Sequence, residues 1–173
     1  ELLTGLIFLL IYWEFGLNPQ SYIMFLFAMA LIIIGGVDLN ERVIPDSISL
    51  PGIVIGIIIS IIFSHISVVN SLLGILIGGG LFLGIGILTR GGMGGGDIKL
   101  IAFIGSFIGW QGVLLTIFFS SLLGSIYGII LIICKGAGRK SAIPYGPFLA
   151  IGAMTYALYG QEIINIYLTF ILR

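Results

Sequence analysis

The sequence predicts an all-α fold, a polytopic bundle of about seven transmembrane helices. Hydrophobic residues make up 59% of the 173 residues and charged residues only 8%, whereas a soluble domain carries about 25% charged residues. Backbone polar groups inside a bilayer must be hydrogen-bonded within the protein, which leaves helices or closed barrels as spanning structures. Barrel strands would alternate apolar and polar residues, whereas the apolar runs here are continuous. We therefore predict one domain, residues 1–173, embedded in the lipid bilayer.

The apolar runs define the helices in order, because a helix needs about 20 residues to cross a bilayer. The predicted helices span residues 2–17, 21–37, 47–63, 68–89, 98–110, 112–134 and 148–173. The first contains Glu14, and the fifth is the shortest. The last combines one span with a membrane-proximal tail around Gly160-Gln161-Glu162. Counts of six or eight helices fit the same runs.

The Lys and Arg residues mark one face of the membrane. Apart from the terminal Arg173, they fall in three places: Arg42; Arg90 and Lys99; Lys135, Arg139 and Lys140. Cytoplasmic loops collect basic residues, and seven alternating helices put all three places on that face. The carboxylates of Asp38, Asp46 and Asp97 fall on the same face.

Many glycines recur at a spacing of four, as in Gly74 and Gly78, Gly80 and Gly84, Gly105 and Gly109, and Gly124 and Gly128. Small residues at this spacing let membrane helices approach closely. We interpret these pairs as helix-packing sites without a chemical role.

Ionisable residues at membrane depth are candidates for function. Asp38 directly follows the second run, at the negative end of that helix dipole, and it also fits a plain membrane boundary. Asp97 closes the glycine loop Gly91–Gly96 and opens an apolar run, which also fits an N-cap. Asp46 fits an N-cap or a first-turn acid of the third helix. The glycine loop lets the backbone approach closely or move.

Several other chemistries find no support in the sequence. The glycine loop ends in Asp97 rather than the Gly-Lys-Ser/Thr of a phosphate loop. The single cysteine, Cys134, excludes an internal disulfide and a multi-cysteine zinc site. We expect no metal, no cofactor and no nucleic-acid partner. The weaker candidates are Glu14 and Glu162 on the opposite face, His65 in a short loop, and Tyr145 in a Pro-Tyr-Gly-Pro turn.

Two carboxylates on one membrane face suggest an aspartic protease. In such enzymes two carboxyl groups share one proton, because like charges held close together do not both ionise readily. The ionised partner takes a proton from water while the protonated partner polarises the scissile carbonyl. Asp38 and Asp97 are the candidates, provided that their side chains meet in space.

The motifs around these carboxylates resemble those of type IV prepilin peptidases, a family of GxGD intramembrane aspartic proteases. Residues 94–100, Gly-Gly-Gly-Asp-Ile-Lys-Leu, resemble the family's GxGDxKL motif. Asp38 together with Pro45-Asp46 resembles its D-x6-P-D segment, and residues 143–148, Ile-Pro-Tyr-Gly-Pro-Phe, resemble its IPFGPF segment. The three motifs occur in the family's order between residues 38 and 148.

The resemblance implies an enzyme of the bacterial inner (cytoplasmic) membrane. Such enzymes remove basic leaders from type IV prepilins and type II secretion pseudopilins on the cytoplasmic side. By position, the resemblance implies that Asp38 and Asp97 are the catalytic pair, and that Asp46 and Lys99 are supporting residues. It implies that Gly94, Gly95 and Gly96 shape the site.

One part of the family pattern is missing from this sequence. Many bacterial members also methylate the new N-terminus, using a cysteine-rich cytoplasmic region with two CxxC pairs. Residues 1–5 resemble the stretch that follows that region, and the region itself is absent from the chain. We therefore expect a fragment or a peptidase-only member, without zinc, and the resemblance does not extend to methylation.

Two other functions fit parts of the sequence. Proton- or ion-coupled transporters also use paired acidic residues and glycine-rich broken helices. Their sites lie near the bilayer midplane, whereas Asp38 and Asp97 lie at the ends of apolar runs. A presenilin-like protease shares GxGD, but it would have Tyr before its first aspartate, where this chain has Val37. A PAL-type sequence is also missing.

Overall fold

A computed structural model describes residues 1–135 and 143–171, with the side chains of residues 135 and 171 left out. Within these ranges the chain is all-helical and contains no strand, which confirms the predicted fold class. The helices are α1 (Leu2–Phe15), α2 (Pro19–Glu41), α3 (Asp46–Phe63), α4 (Val68–Leu88), α5 (Gly95–Lys135) and α6 (Gly146–Ile171). Arg139, Lys140 and Arg173, which entered the prediction of sidedness, lie outside the described residues.

Four of these helices, α2 to α5, are long and apolar enough to cross a membrane, whereas α1 has 14 residues. The chain is therefore a multi-pass membrane protein. The predicted count of seven membrane-spanning helices is not confirmed, because four helices among the described residues are long and apolar enough to cross. The fifth and sixth predicted helices correspond to the two parts of α5. The last helix, α6, continues through Gly160-Gln161-Glu162 without a break.

A break at Gly109 divides α5 into two halves. This residue has φ 73° and ψ −177°, a combination that is essentially restricted to glycine. The halves run in opposite directions, because Gly78 of α4 contacts both Ile101 of the first half and Val113 of the second. The sequence predicted the separation at the short Trp110-Gln111 loop, directly after the observed break.

Polar side chains from residues 65–71 replace the helical hydrogen bonds that the break removes. The bonds are Trp110 N–H to Asn70 Oδ1 at 3.2 Å, Ser71 Oγ to the Ser106 carbonyl at 2.8 Å, and His65 Nε2 to the Phe107 carbonyl at 3.0 Å. Irregular backbone at membrane depth is tolerated only where its polar groups are satisfied in this way. His65, which the sequence placed in a short loop, therefore stabilises the break in α5.

The first half of α5 lies at the centre of the core, where Leu100, Phe103, Ile104 and Phe107 are buried.

The predicted role of the glycine pairs in helix packing is confirmed for some of the pairs. Gly74 and Gly105 meet backbone to backbone, and Gly78 lies against Ile101. Gly124 and Gly128 receive Tyr145 and Ile143, respectively. The interpretation is wrong for Gly80 and Gly84, around which a Cβ would meet none of the described atoms within 4 Å.

Polar residues collect at the two ends of α2. At its C-terminal end a cavity contains Arg42, Asp46 and Lys99, together with Asp38 and Asp97. At its N-terminal end a second cavity contains Glu14, His65 and Glu162. This arrangement agrees with the sequence-based sorting of acidic residues between the two faces.

Candidate active site

One cavity of about 460 Å³ contains both predicted catalytic carboxylates. The end of α2 supplies Asp38, and the start of α5 supplies Asp97. Residues 42–46 and 94–96 form the remaining wall, together with Lys99. The structure therefore brings together every residue that the sequence singled out as catalytic, supporting or site-shaping.

Asp38 lies in the last turn of α2 and is 5% exposed. The sequence predicted that the helix would end at Val37, directly before this residue, but it continues to Glu41 and is capped by Arg42, which has φ 56°. The backbone N–H of Gly146, the first residue of α6, donates a hydrogen bond to Asp38 Oδ2 at 2.8 Å in a buried setting. A carboxylate that accepts a backbone N–H makes a strong, charge-assisted bond.

The contact with α6 changes the electrostatic setting expected for Asp38. Its place in α2 exposes it to the negative end of one helix dipole, as predicted, but Gly146 also brings it to the positive end of another. A Cβ on Gly146 would lie 2.7 Å from Asp38 Oδ2, so only glycine fits without a shift. Sequence reasoning missed Gly146 as a site residue. The available signal was the Pro-Tyr-Gly-Pro segment, which we interpreted as a turn.

Asp97 is the third residue of α5, because this helix begins at Gly95. The predicted loop through Gly96 is therefore too long, and the N-cap interpretation of Asp97 is wrong. Its carboxylate instead lies beside the backbone of Gly94, the residue before the helix. An acidic residue in the first turn lies at the positive end of the helix dipole, which stabilises its ionised form.

The three glycines before Asp97 differ in how closely they are packed. A Cβ on Gly94 would lie 2.9 Å from Asp97 Oδ2, and a Cβ on Gly96 would lie 2.9 Å from the Cβ of Ile44. A Cβ on Gly95 would meet none of the described atoms within 4 Å. A Cβ at position 96 would therefore clash with Ile44, and one at position 94 would displace the Asp97 carboxylate, whereas position 95 has room for a side chain.

Asp46 and Lys99 form an ion pair that links the start of α3 to the start of α5. Lys99 Nζ lies 2.8 Å and 2.7 Å from the two carboxylate oxygens of Asp46. The side chains are 38% and 55% exposed for Lys99 and Asp46, respectively. An exposed pair contributes about 0–1 kcal/mol, so this contact orients the edge of the cavity more than it stabilises the fold.

The weaker candidates lie away from the two carboxylates, with one exception. Glu14, His65 and Glu162 line the second cavity, at the opposite end of α2. Tyr145 directly precedes Gly146, and its hydroxyl lies 2.9 Å from Ser120 Oγ. Within residues 1–135 and 143–171, no group of three or more His, Cys, Asp or Glu side chains is arranged to hold a metal ion.

The chain is similar to known leader peptidases. The sequence profile of the type IV leader peptidase family matches residues 25–129. Relatives named prepilin leader peptidase/N-methyltransferase are 32% identical in Xanthomonas campestris pv. campestris, 33% in Stutzerimonas stutzeri and 34% in Pseudomonas aeruginosa. Each alignment covers 98% of this chain and, in the same order, 61%, 61% and 60% of the relative. The chain thus spans about three-fifths of their length. No solved structure matches it.

Proposed function

Because the chain belongs to the type IV leader peptidase family, we propose that it is a membrane aspartic endopeptidase. Its substrates are type IV prepilins and type II secretion pseudopilins, whose basic leaders it removes at the cytoplasmic face of the bacterial inner membrane. The observation that carries this proposal is the shared cavity, which Asp38 and Asp97 both line although they lie 59 positions apart in the chain.

In the proposed reaction Asp38 and Asp97 share one proton. The ionised carboxylate takes a proton from the attacking water, and the protonated one polarises the scissile carbonyl. The pair titrates as a unit, so neither role belongs permanently to one residue. Asp38 is held by the backbone N–H of Gly146, and Asp97 lies in the first turn of α5, at the positive end of its helix dipole. Such a preorganised donor fixes the Asp38 carboxylate before the substrate arrives.

Asp46 and Lys99 have a supporting role in this proposal. Both line the cavity, but each already engages the other through the ion pair. Gly94 and Gly96 allow the backbone of the α5 start to approach Asp97 and Ile44. Gly95 lines the same cavity without such a contact.

The transporter alternative is not favoured. Transporter sites lie near the bilayer midplane, whereas Asp38 and Asp97 lie in the last turn of α2 and the first turn of α5. The proposal covers leader cleavage only. The relatives' name also includes an N-methyltransferase, and this chain spans about three-fifths of their length.

Leader cleavage in membranes tests the proposal. A prepilin substrate is incubated with the unaltered chain and with Asp38→Asn, Asp97→Asn and Asp46→Asn, each matched for expression. We expect the two catalytic-pair variants to lose cleavage and Asp46→Asn to keep a substantial part of it. Full cleavage by Asp97→Asn would refute the proposed mechanism, and ion flux in proteoliposomes would then be the assay to apply.

A further inference from the structure

The start of α6 is anchored to α5 through Tyr145. The carbonyl of this residue accepts the N–H groups of Phe148 and Leu149, both at 3.1 Å, so Tyr145 caps the helix through its backbone. The next residue, Gly146, donates to Asp38. Tyr145 is thus the residue directly before the amide that holds a proposed catalytic carboxylate.

The Tyr145 hydroxyl has a buried partner on the second half of α5. It lies 2.9 Å from Ser120 Oγ and 3.1 Å from Ser121 Oγ. Ser120 is fully buried and donates its own hydrogen to the Ile117 carbonyl at 3.1 Å. The hydroxyl of Tyr145 is therefore the donor in the bond to Ser120, and its direction is fixed.

The ring of Tyr145 is packed as well as hydrogen-bonded. Gly124 leaves room for it, since a Cβ there would lie 3.4 Å from the ring. The ring of Phe82, on α4, lies 6.2 Å away between centroids. The prolines at positions 144 and 147 restrict the backbone on either side. A displacement of the ring would therefore be passed to Gly146 instead of being absorbed by the turn.

We propose that Tyr145 is a positioning residue, whose bond to Ser120 keeps the Gly146 amide on the Asp38 carboxylate. This role rests on the proposed peptidase function. The Pro-Tyr-Gly-Pro segment then does more than connect two helices, because it positions a proposed catalytic carboxylate. Tyr145 itself need not touch the substrate.

The test is steady-state leader cleavage by Tyr145→Phe, which removes only the hydroxyl. We expect kcat to fall about fivefold to tenfold, the effect of one lost hydrogen bond, with KM changed less than about twofold. Ser120→Ala should have a similar effect. The double variant should be no slower than Tyr145→Phe alone, because both changes break the same link.

A matched variant separates positioning from a general effect of removing a tyrosine hydroxyl. Tyr127→Phe alters another tyrosine that packs against Phe148. It should keep kcat within about twofold, on the reasoning that surface changes have small effects. Thermal unfolding of each variant is measured in parallel, so that kcat is compared at a temperature at which every variant is folded.

The outcomes are distinguishable. If the unaltered chain does not cleave a prepilin, the peptidase function fails, and the role of Tyr145 fails with it. If the unaltered chain cleaves but Tyr145→Phe and Ser120→Ala retain full kcat, the positioning role is refuted while the function stands. Equal losses in Tyr127→Phe or additive losses in the double variant would also refute it.

Discussion

Replacing Gly146 with alanine should disable the site while leaving the fold intact. The new Cβ would lie 2.7 Å from Asp38 Oδ2 and 3.1 Å from its Cγ, distances that force either the carboxylate or the α6 backbone to move. Either movement lengthens the 2.8 Å hydrogen bond between the Gly146 amide and the carboxylate. The side chain of Asp38 is buried, so water cannot readily replace the lost donor.

The expected magnitude follows from the type of bond. A hydrogen bond to a charged group contributes about 1.5–3 kcal/mol, which corresponds to a loss of about 10- to 150-fold in kcat/KM if the whole contribution is expressed in the transition state. Gly95→Ala is the matched control, because Gly95 lines the same cavity and has room for a Cβ. That substitution lies in the first turn of a helix and should leave kcat/KM within about twofold.

Leader cleavage of a prepilin in membranes, with both variants expressed to equal levels, measures the difference. If Gly146→Ala is as active as Gly95→Ala, the amide of α6 does not hold Asp38 in the working enzyme. If Gly95→Ala is as impaired as Gly146→Ala, the losses come from the glycine substitutions in general and not from the contact with Asp38.

Three further predictions concern the break in α5, the ion pair and His65. Gly109→Ala should lower the free energy of unfolding by about 1–3 kcal/mol, because only glycine adopts this backbone conformation without strain and its Cβ would lie 2.6 Å from Asn70 Oδ1; Gly80→Ala, in open space, should unfold like the unaltered chain. Lys99→Met removes an exposed ion pair, so the free energy of unfolding should fall by no more than about 1 kcal/mol. A larger loss would show that the pair with Asp46 stabilises the fold more than it orients the cavity edge. Burial lowers the pKa of His65 from its ordinary value of 6.5, and the bond to Phe107 opposes this shift. As the pH falls below 6.5, His65 is therefore protonated in the unfolded chain before it is protonated in the folded chain. Thermal unfolding should show that stability falls as the pH is lowered below 6.5. His65→Gln should make stability depend less on pH.

Local patterns predicted much of the fold. The boundaries of α3 and α4 follow the apolar runs, because Pro45 and Ser67 precede their first turns and the runs end in polar segments. The end of α2 did not follow the hydropathy, since leaving the membrane does not end a helix. Leu39, Asn40 and Glu41 continue it until Arg42 adopts a left-handed conformation.

The site was predicted in part, for a related reason. Asp38 and Asp97 stood out as carboxylates next to apolar runs, and they do line one cavity. The contact of Asp38 with Gly146 joins residues 108 positions apart, so no local pattern could reveal it. The same holds for the His65 and Asn70 bonds around the break at Gly109, which depend on how α4 packs against α5.

The most direct test of the proposed catalytic pair compares Asp38→Asn, Asp97→Asn and the double variant in single-turnover cleavage of a prepilin leader. Residues that act as one unit lose nearly all of their effect when either member is removed. We predict that each single variant abolishes measurable cleavage and that the double variant is no worse than either. Substantial cleavage by one single variant, with a further multiplicative loss in the double variant, would contradict a shared proton between Asp38 and Asp97.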